Sequence, residues 1–89
     1  MKIKKGYTLK NSMGNYVVIA TGDRRKDFMG LMKLNDVAAK IWNYAKEGKS
    51  IEEAAKNLAG EYTGITYEKA LEDVKKFVDG MIEKGFFEE

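Results

Sequence analysis

The chain has 89 residues, a net charge of +2, 34% charged residues, and neither Cys nor His, which leaves room for one small domain, taken as 1–89. The missing residue types exclude disulfides, thiolate nucleophiles, zinc sites built on sulfur and imidazole, and His-based general bases. The expectation is a non-catalytic protein without cofactor or resident metal.

Folding at this size buries about 64% of the unfolded surface, enough for one modest core. No stretch approaches the roughly 18 apolar residues of a membrane span, and Met1-Lys2-Ile3-Lys4-Lys5 lacks the apolar segment of a signal peptide. A cytoplasmic protein without membrane contact is expected. The small net charge conceals a division. Up to Lys33, eight basic residues face two acidic ones, giving +6; from Leu34 onward, eight face twelve, giving −4. A basic half attracts anionic partners, whether nucleic acid or acidic peptide.

In chain order, Tyr7 and Leu9 alternate with polar residues, Asn11 to Asn15 reads as a turn, and Tyr16-Val17-Val18-Ile19-Ala20 is the most β-prone run. These segments predict a hairpin. Thr21 to Asp27 is a charged loop containing Arg24, Arg25 and Lys26, and Phe28 to Lys33 reads as a third strand. After Leu34 the apolar spacing changes to three and four. Asn35 caps a first helix with Leu34, Ala38, Ile41, Trp42 and Ala45 as its stripe, ending at Gly48. Ser50-Ile51-Glu52-Glu53 is a capping box for a second helix, which Gly60 ends. Thr66 caps the longest helix, whose seam runs from Tyr67 to Ile82 and stops at Gly85, with Phe86 and Phe87 folding back onto the core.

This pattern predicts an α+β, winged-helix-like domain: a three-stranded antiparallel sheet followed by three helices (β-β-β-α-α-α). A meander of three strands leaves an outer strand with unpaired backbone groups. An open edge of that kind is either protected or used.

At the junction of sheet and helices stands Leu34-Asn35-Asp36-Val37-Ala38-Ala39-Lys40-Ile41-Trp42, followed by Gly48, Ser50-Ile51-Glu52-Glu53-Ala54, Leu58, Tyr62, Asp73-Val74, Phe77-Val78 and Gly85-Phe86. From Tyr7 to Phe87 the chain resembles the pyrroloquinoline quinone synthesis protein D family, small chaperones known as RiPP precursor peptide recognition elements. Its most specific part is the Leu-Asn, Ala, Ile-Trp spacing directly after a strand. The basic loop Arg24-Arg25-Lys26 and Gly60 depart from the pattern.

The resemblance implies a binding module. It would take the leader segment of a ribosomally made precursor peptide as an extra strand on the third strand, beside the third helix. It would then present that segment to a modifying enzyme, such as a radical S-adenosylmethionine protein or a leader peptidase. Strand addition combines sequence-tolerant backbone hydrogen bonds with selective side-chain pockets. Candidate contacts on the edge strand are Phe28, Met29, Gly30, Leu31, Met32 and Lys33. On one flank of the last helix they are Leu71, Lys75 and Val78. The Met side chains are adaptable, and Gly30 admits a close backbone. Ile41 and Trp42 are assigned to the core, and Glu52-Glu53 and Glu72-Asp73 diverge on their helices and form no catalytic dyad.

The alternative reading is a winged-helix nucleic-acid-binding protein. Against it, the first seven residues of the last helix carry Glu68, Glu72 and Asp73, where phosphate and base contacts call for Lys, Arg, Asn or Gln. A monomer or an edge-paired dimer suits the open strand equally.

Overall fold

A computed structural model describes residues 1–22 and 31–88, and of Leu31 only the backbone. The order is β1 (Lys2–Ile3), β2 (Tyr7–Ser12), β3 (Asn15–Ala20), β4 (Leu31–Leu34), α1 (Asp36–Lys46), α2 (Ile51–Glu61), α3 (Tyr67–Glu83) and β5 (Phe87–Glu88). The expected antiparallel sheet is β2-β3-β4, and the three helices follow it. Arg24, Arg25, Lys26, Phe28, Met29 and Gly30 lie outside the described residues.

The first hairpin is tighter than its sequence suggested. β2 continues through Ser12 and β3 starts at Asn15, leaving Met13 and Gly14 as a two-residue turn. Both have positive φ, 54° and 82°, the arrangement whose twist matches that of the flanking strands. Register then decides which side chains enter the core. Leu9 stands opposite Val18 and Val18 opposite Met32. Val18 is fully buried, while Leu9, Met32 and Leu34 pack partly buried against the same cluster. The intervening residues Lys10, Val17 and Lys33 therefore share the outer face.

Helices cover the inner face. Ile41, Trp42 and Ala45 of α1, Ala54, Ala55 and Leu58 of α2, and Ala70, Val74, Val78 and Met81 of α3 form one core with Val18. Asn35, Ser50 and Thr66 cap the three helices as expected, each accepting a backbone N–H three residues on. Ser50 completes its capping box with Glu53. Leu34, read as the start of the first helical stripe, is instead the last residue of β4, paired with Tyr16.

Gly60 does not end α2, which runs on to Glu61. The carboxylate of Glu61 accepts a hydrogen bond from the Tyr44 hydroxyl at 2.9 Å and pairs with Lys40 Nζ at 2.8 Å. The last turn is thus tied to α1 despite its glycine. Burial pushes the Tyr44 phenol up to about 12, so it remains a donor throughout the neutral range.

At the end of α3, Gly85 has φ 87°. The N–H of Phe86 donates to the Met81 carbonyl at 2.8 Å and that of Gly85 to the Ile82 carbonyl at 3.0 Å. This left-handed termination reverses the chain. It returns Phe86 and Phe87 to the core, where Phe87 is 1% exposed. Phe87–Glu88 then pairs antiparallel with Lys2–Ile3 as a second, two-stranded sheet.

Two outcomes check this description. Met13→Asn places a residue tolerant of positive φ in the turn. It is expected to stabilise the protein by about 0.5 to 1 kcal/mol, seen as a higher thermal midpoint. The Lys40 ammonium and Tyr44 hydroxyl hold the Glu61 carboxyl below its usual range. Its contribution is thus present above the unfolded-state value and is lost as pH falls through the folded one. Urea titrations across that acidic window are expected to show a shallower loss of stability for Glu61→Gln than for the parent.

Candidate functional site

β4 pairs on one side only. Tyr16, Val17, Val18 and Ile19 of β3 stand opposite Leu34, Lys33, Met32 and Leu31, and among the described residues no strand occupies the other side. Alternate residues of an antiparallel strand turn both N–H and C=O away from a given neighbour. A four-residue strand therefore offers the backbone groups of two residues to a newcomer. The other margin of the sheet, β2, differs. A cavity of about 570 Å³ there is lined by Met1, Lys2 and Ile3 together with Tyr7, Thr8, Trp42, Ala45, Lys46 and Gly48, so the N-terminal segment stands beside the first half of β2.

Where β4 ends, a groove begins. The chain passes from Leu34 through the cap Asn35 directly into α1. Asn35, Val37, Ala38 and Ile41 then line a pocket of about 350 Å³ opposite Asp73, Lys76 and Phe77 of α3. The walls are therefore the first turns of α1 and the middle of α3. Val37 and Phe77 are partly buried against the core and Ile41 is part of it, so the floor is apolar. Asp73 and Lys76 place charge at the rim, each engaged within α3: Lys69 with Asp73 at 3.3 Å, Lys76 with Glu72 at 3.1 Å. The Lys76 ammonium holds the Glu72 carboxyl below its usual range.

Phe77 is held in place from behind. Its ring meets that of Phe87 edge to face at 5.8 Å, and Phe87 in turn lies 5.4 Å from Trp42. Tyr7 closes the set against Phe86 at 4.7 Å. Edge-to-face packing suits the ring quadrupoles and adds about 0.5 to 1.5 kcal/mol per pair beyond area burial. The groove floor is thus braced by the returning C-terminus.

The structure brings together part of the residue set read from the sequence. Met32 lies in β4 facing the helices, Lys33 is exposed on the opposite face, and Leu31 is the first residue of the strand. On α3 the flank is different. Leu71, Lys75 and Val78 are not among the residues lining the pocket, and Val78, at 3% exposure, belongs to the core. The lining positions 73, 76 and 77 sit on the adjacent flank. In the sequence, the spacing of Asn35, Val37 and Ala38 reads only as helix start and core stripe. Only the turn from β4 into α1 shows that they border a groove.

Residues 16–86 match the family model described as coenzyme PQQ synthesis protein D (PqqD). The chain belongs to the PqqD family. Among curated proteins none matches the sequence. Two solved structures share the fold. One is described as TbiB1 in complex with the TbiA(beta) leader peptide, with TM-score 0.80, 22% identity, and coverage of 99% of this chain and 95% of that one. The other is lasso peptide synthetase B1 complexed with the leader peptide, with TM-score 0.81, 23% identity, and coverage of 99% and 96%. The fold shared with these two structures extends over 99% of the chain, beyond the 16–86 that the family model matches.

The bracing of Phe77 has a measurable consequence. Phe87→Ala is expected to cost about 3 to 5 kcal/mol, in the range for fully buried aromatic side chains, and Phe77→Ala about 2 kcal/mol because part of its ring faces the groove. Denaturant unfolding of both variants checks this; equal losses would place Phe77 in the closed core.

Proposed function

We propose that this PqqD-family chain is a non-catalytic module that captures the leader segment of a ribosomally synthesised precursor peptide. The leader adds as a strand to β4 and is presented to a modifying enzyme. The observation that carries the reading is the coincidence of an open strand edge with an apolar groove at its end. It is supported by family membership and by the leader-peptide complexes formed by two proteins of the same fold. Leu31 and Lys33, the alternate residues whose backbone groups turn away from β3, would supply the ladder, with Met32 between them facing the helices and Phe28, Met29 and Gly30 preceding them in the chain. The groove between α1 and α3 would accept an apolar anchor, with Leu71 and Lys75 outside it.

The energetics fit such a role. Four backbone hydrogen bonds contribute about 0.5 to 1.5 kcal/mol each, and two buried apolar anchors about 1.5 to 3 kcal/mol each. Ordering a flexible leader costs on the order of 2 to 5 kcal/mol. Net binding near micromolar, about 8 kcal/mol, therefore requires both anchors to be well seated. Specificity then lies in the groove and attachment in the edge.

α3 is poorly suited to the nucleic-acid alternative. In a winged helix it would enter the major groove, yet it carries Glu68, Glu72 and Asp73, and its Lys69 and Lys76 are engaged with Asp73 and Glu72. A second copy pairing along β4 would compete with the leader for the same backbone groups.

Titration of the isotope-labelled protein with the leader of the precursor encoded beside its gene is the test. Amide shifts are expected at 31–34, at Val37 and Ile41, and at Phe77. Ala38→Phe, which fills the groove from a half-exposed position, is expected to weaken binding by about tenfold or more, the loss of one seated anchor, with little change in unfolding midpoint. Shifts confined to Thr8–Lys10 would move the site to the β2 margin. Absence of shifts at both margins would remove the reading.

A further inference from the structure

We propose that the β4 edge selects a guest strand of alternating character, apolar on the side facing the helices and acidic at the position beside Lys33. The inference rests on the strand-addition reading above and names the chemistry of the segment that binds.

The two sides of β4 differ chemically. Met32 and Leu34 pack against the core, so alternation sends Lys33, which is exposed, to the other face. Register aligns Lys33 with Val17, and Val17 with Lys10. A row Lys10–Val17–Lys33 therefore crosses the outer face of the sheet. β2, β3 and β4 read YTLKNS, NYVVIA and LMKL, and the three strands contain no acidic residue.

Three of the six lysines within the helices are matched. Lys40 pairs with Glu61, Lys69 with Asp73 and Lys76 with Glu72, and Lys2 at the terminus pairs with Glu88. Lys10 and Lys33 form no ion pair with a described residue. Between them lies Val17, partly buried, on the face opposite the one that packs on the helical core.

A strand added to β4 lengthens this row by one residue, whose Cβ falls about 4.5 to 5.5 Å from that of Lys33. Opposite charges at that separation attract and like charges repel. The next residues of the guest in either direction turn toward the helices, where Val37, Ile41 and Phe77 line the groove. Backbone geometry thus couples the two preferences. A guest that seats an apolar side chain in the groove presents its alternate residues to the lysine row.

The test uses short labelled synthetic peptides that alternate leucine with glutamate, with serine or with lysine, read by fluorescence anisotropy and by amide shifts of the protein. The glutamate peptide is expected to bind about three- to tenfold more tightly than the lysine peptide, with serine between them, and added salt should narrow the spread. Lys33→Glu is expected to reverse the order and Lys33→Gln to flatten it, while Lys56→Glu, at an exposed position of α2 outside the groove lining, leaves it unchanged. Circular dichroism confirms that each variant is folded. Equal affinities accompanied by shifts at 31–34 would overturn the charge preference and leave strand addition standing. Absence of shifts at β4 with every peptide would overturn both.

Discussion

Among the described residues β4 pairs on one side only, and that is the constraint on which the rest of the molecule turns. β4 is the last strand of its sheet, and the chain leaves it through a single capping residue, Asn35, into α1. Chain direction thus commits to helix before another strand can form beside β4. An unpaired edge is a hazard for aggregation, and natural sheets limit it with short strands and lysine. Both devices are present: four residues, with Lys33 among them. The abrupt passage into α1 also creates the groove, because it sets the first turns of that helix beside the strand's end and opposite α3. Edge and groove are two results of one chain reversal.

The groove needs a firm floor, which the C-terminus supplies. Gly85 closes α3 in a left-handed turn, Phe86 and Phe87 fall back on Tyr7, Trp42 and Phe77, and β5 is clamped to β1. The two ends of the chain thereby stabilise a site to which neither contributes a lining residue. On the proposed role, a groove braced this way is organised before a guest arrives, which confines the ordering cost of association to the peptide.

The element order was legible because each helix announces its own start. Asn35, Ser50 and Thr66 cap as their types predict, and the apolar spacing of α3 continues until Gly85. What stayed hidden depends on contacts distant in sequence. Lys2–Ile3 has no pattern of its own and becomes a strand only because Phe87–Glu88 arrives beside it. Gly60 looks like a stop, and the Glu61 contacts with Tyr44 and Lys40 override it. The open edge could be read from the position of the strand in the meander, whereas which flank of α3 borders the groove could not. Positions 71, 75 and 78 and positions 73, 76 and 77 are equally helical, and only the packing of α3 over the core buries Val78 and turns Phe77 toward α1. Alternation within β4 made the outward position of Lys33 available from sequence, but its alignment with Lys10 required the register.

Hydrogen exchange at the β4 amides, measured with and without saturating leader peptide, tests the central claim most directly. Strand addition predicts that the amides of 31–34 directed away from β3 exchange about tenfold or more slowly when the leader is bound, while those already bonded to β3 change little. A leader that binds while those outward amides exchange as fast as before would contradict it.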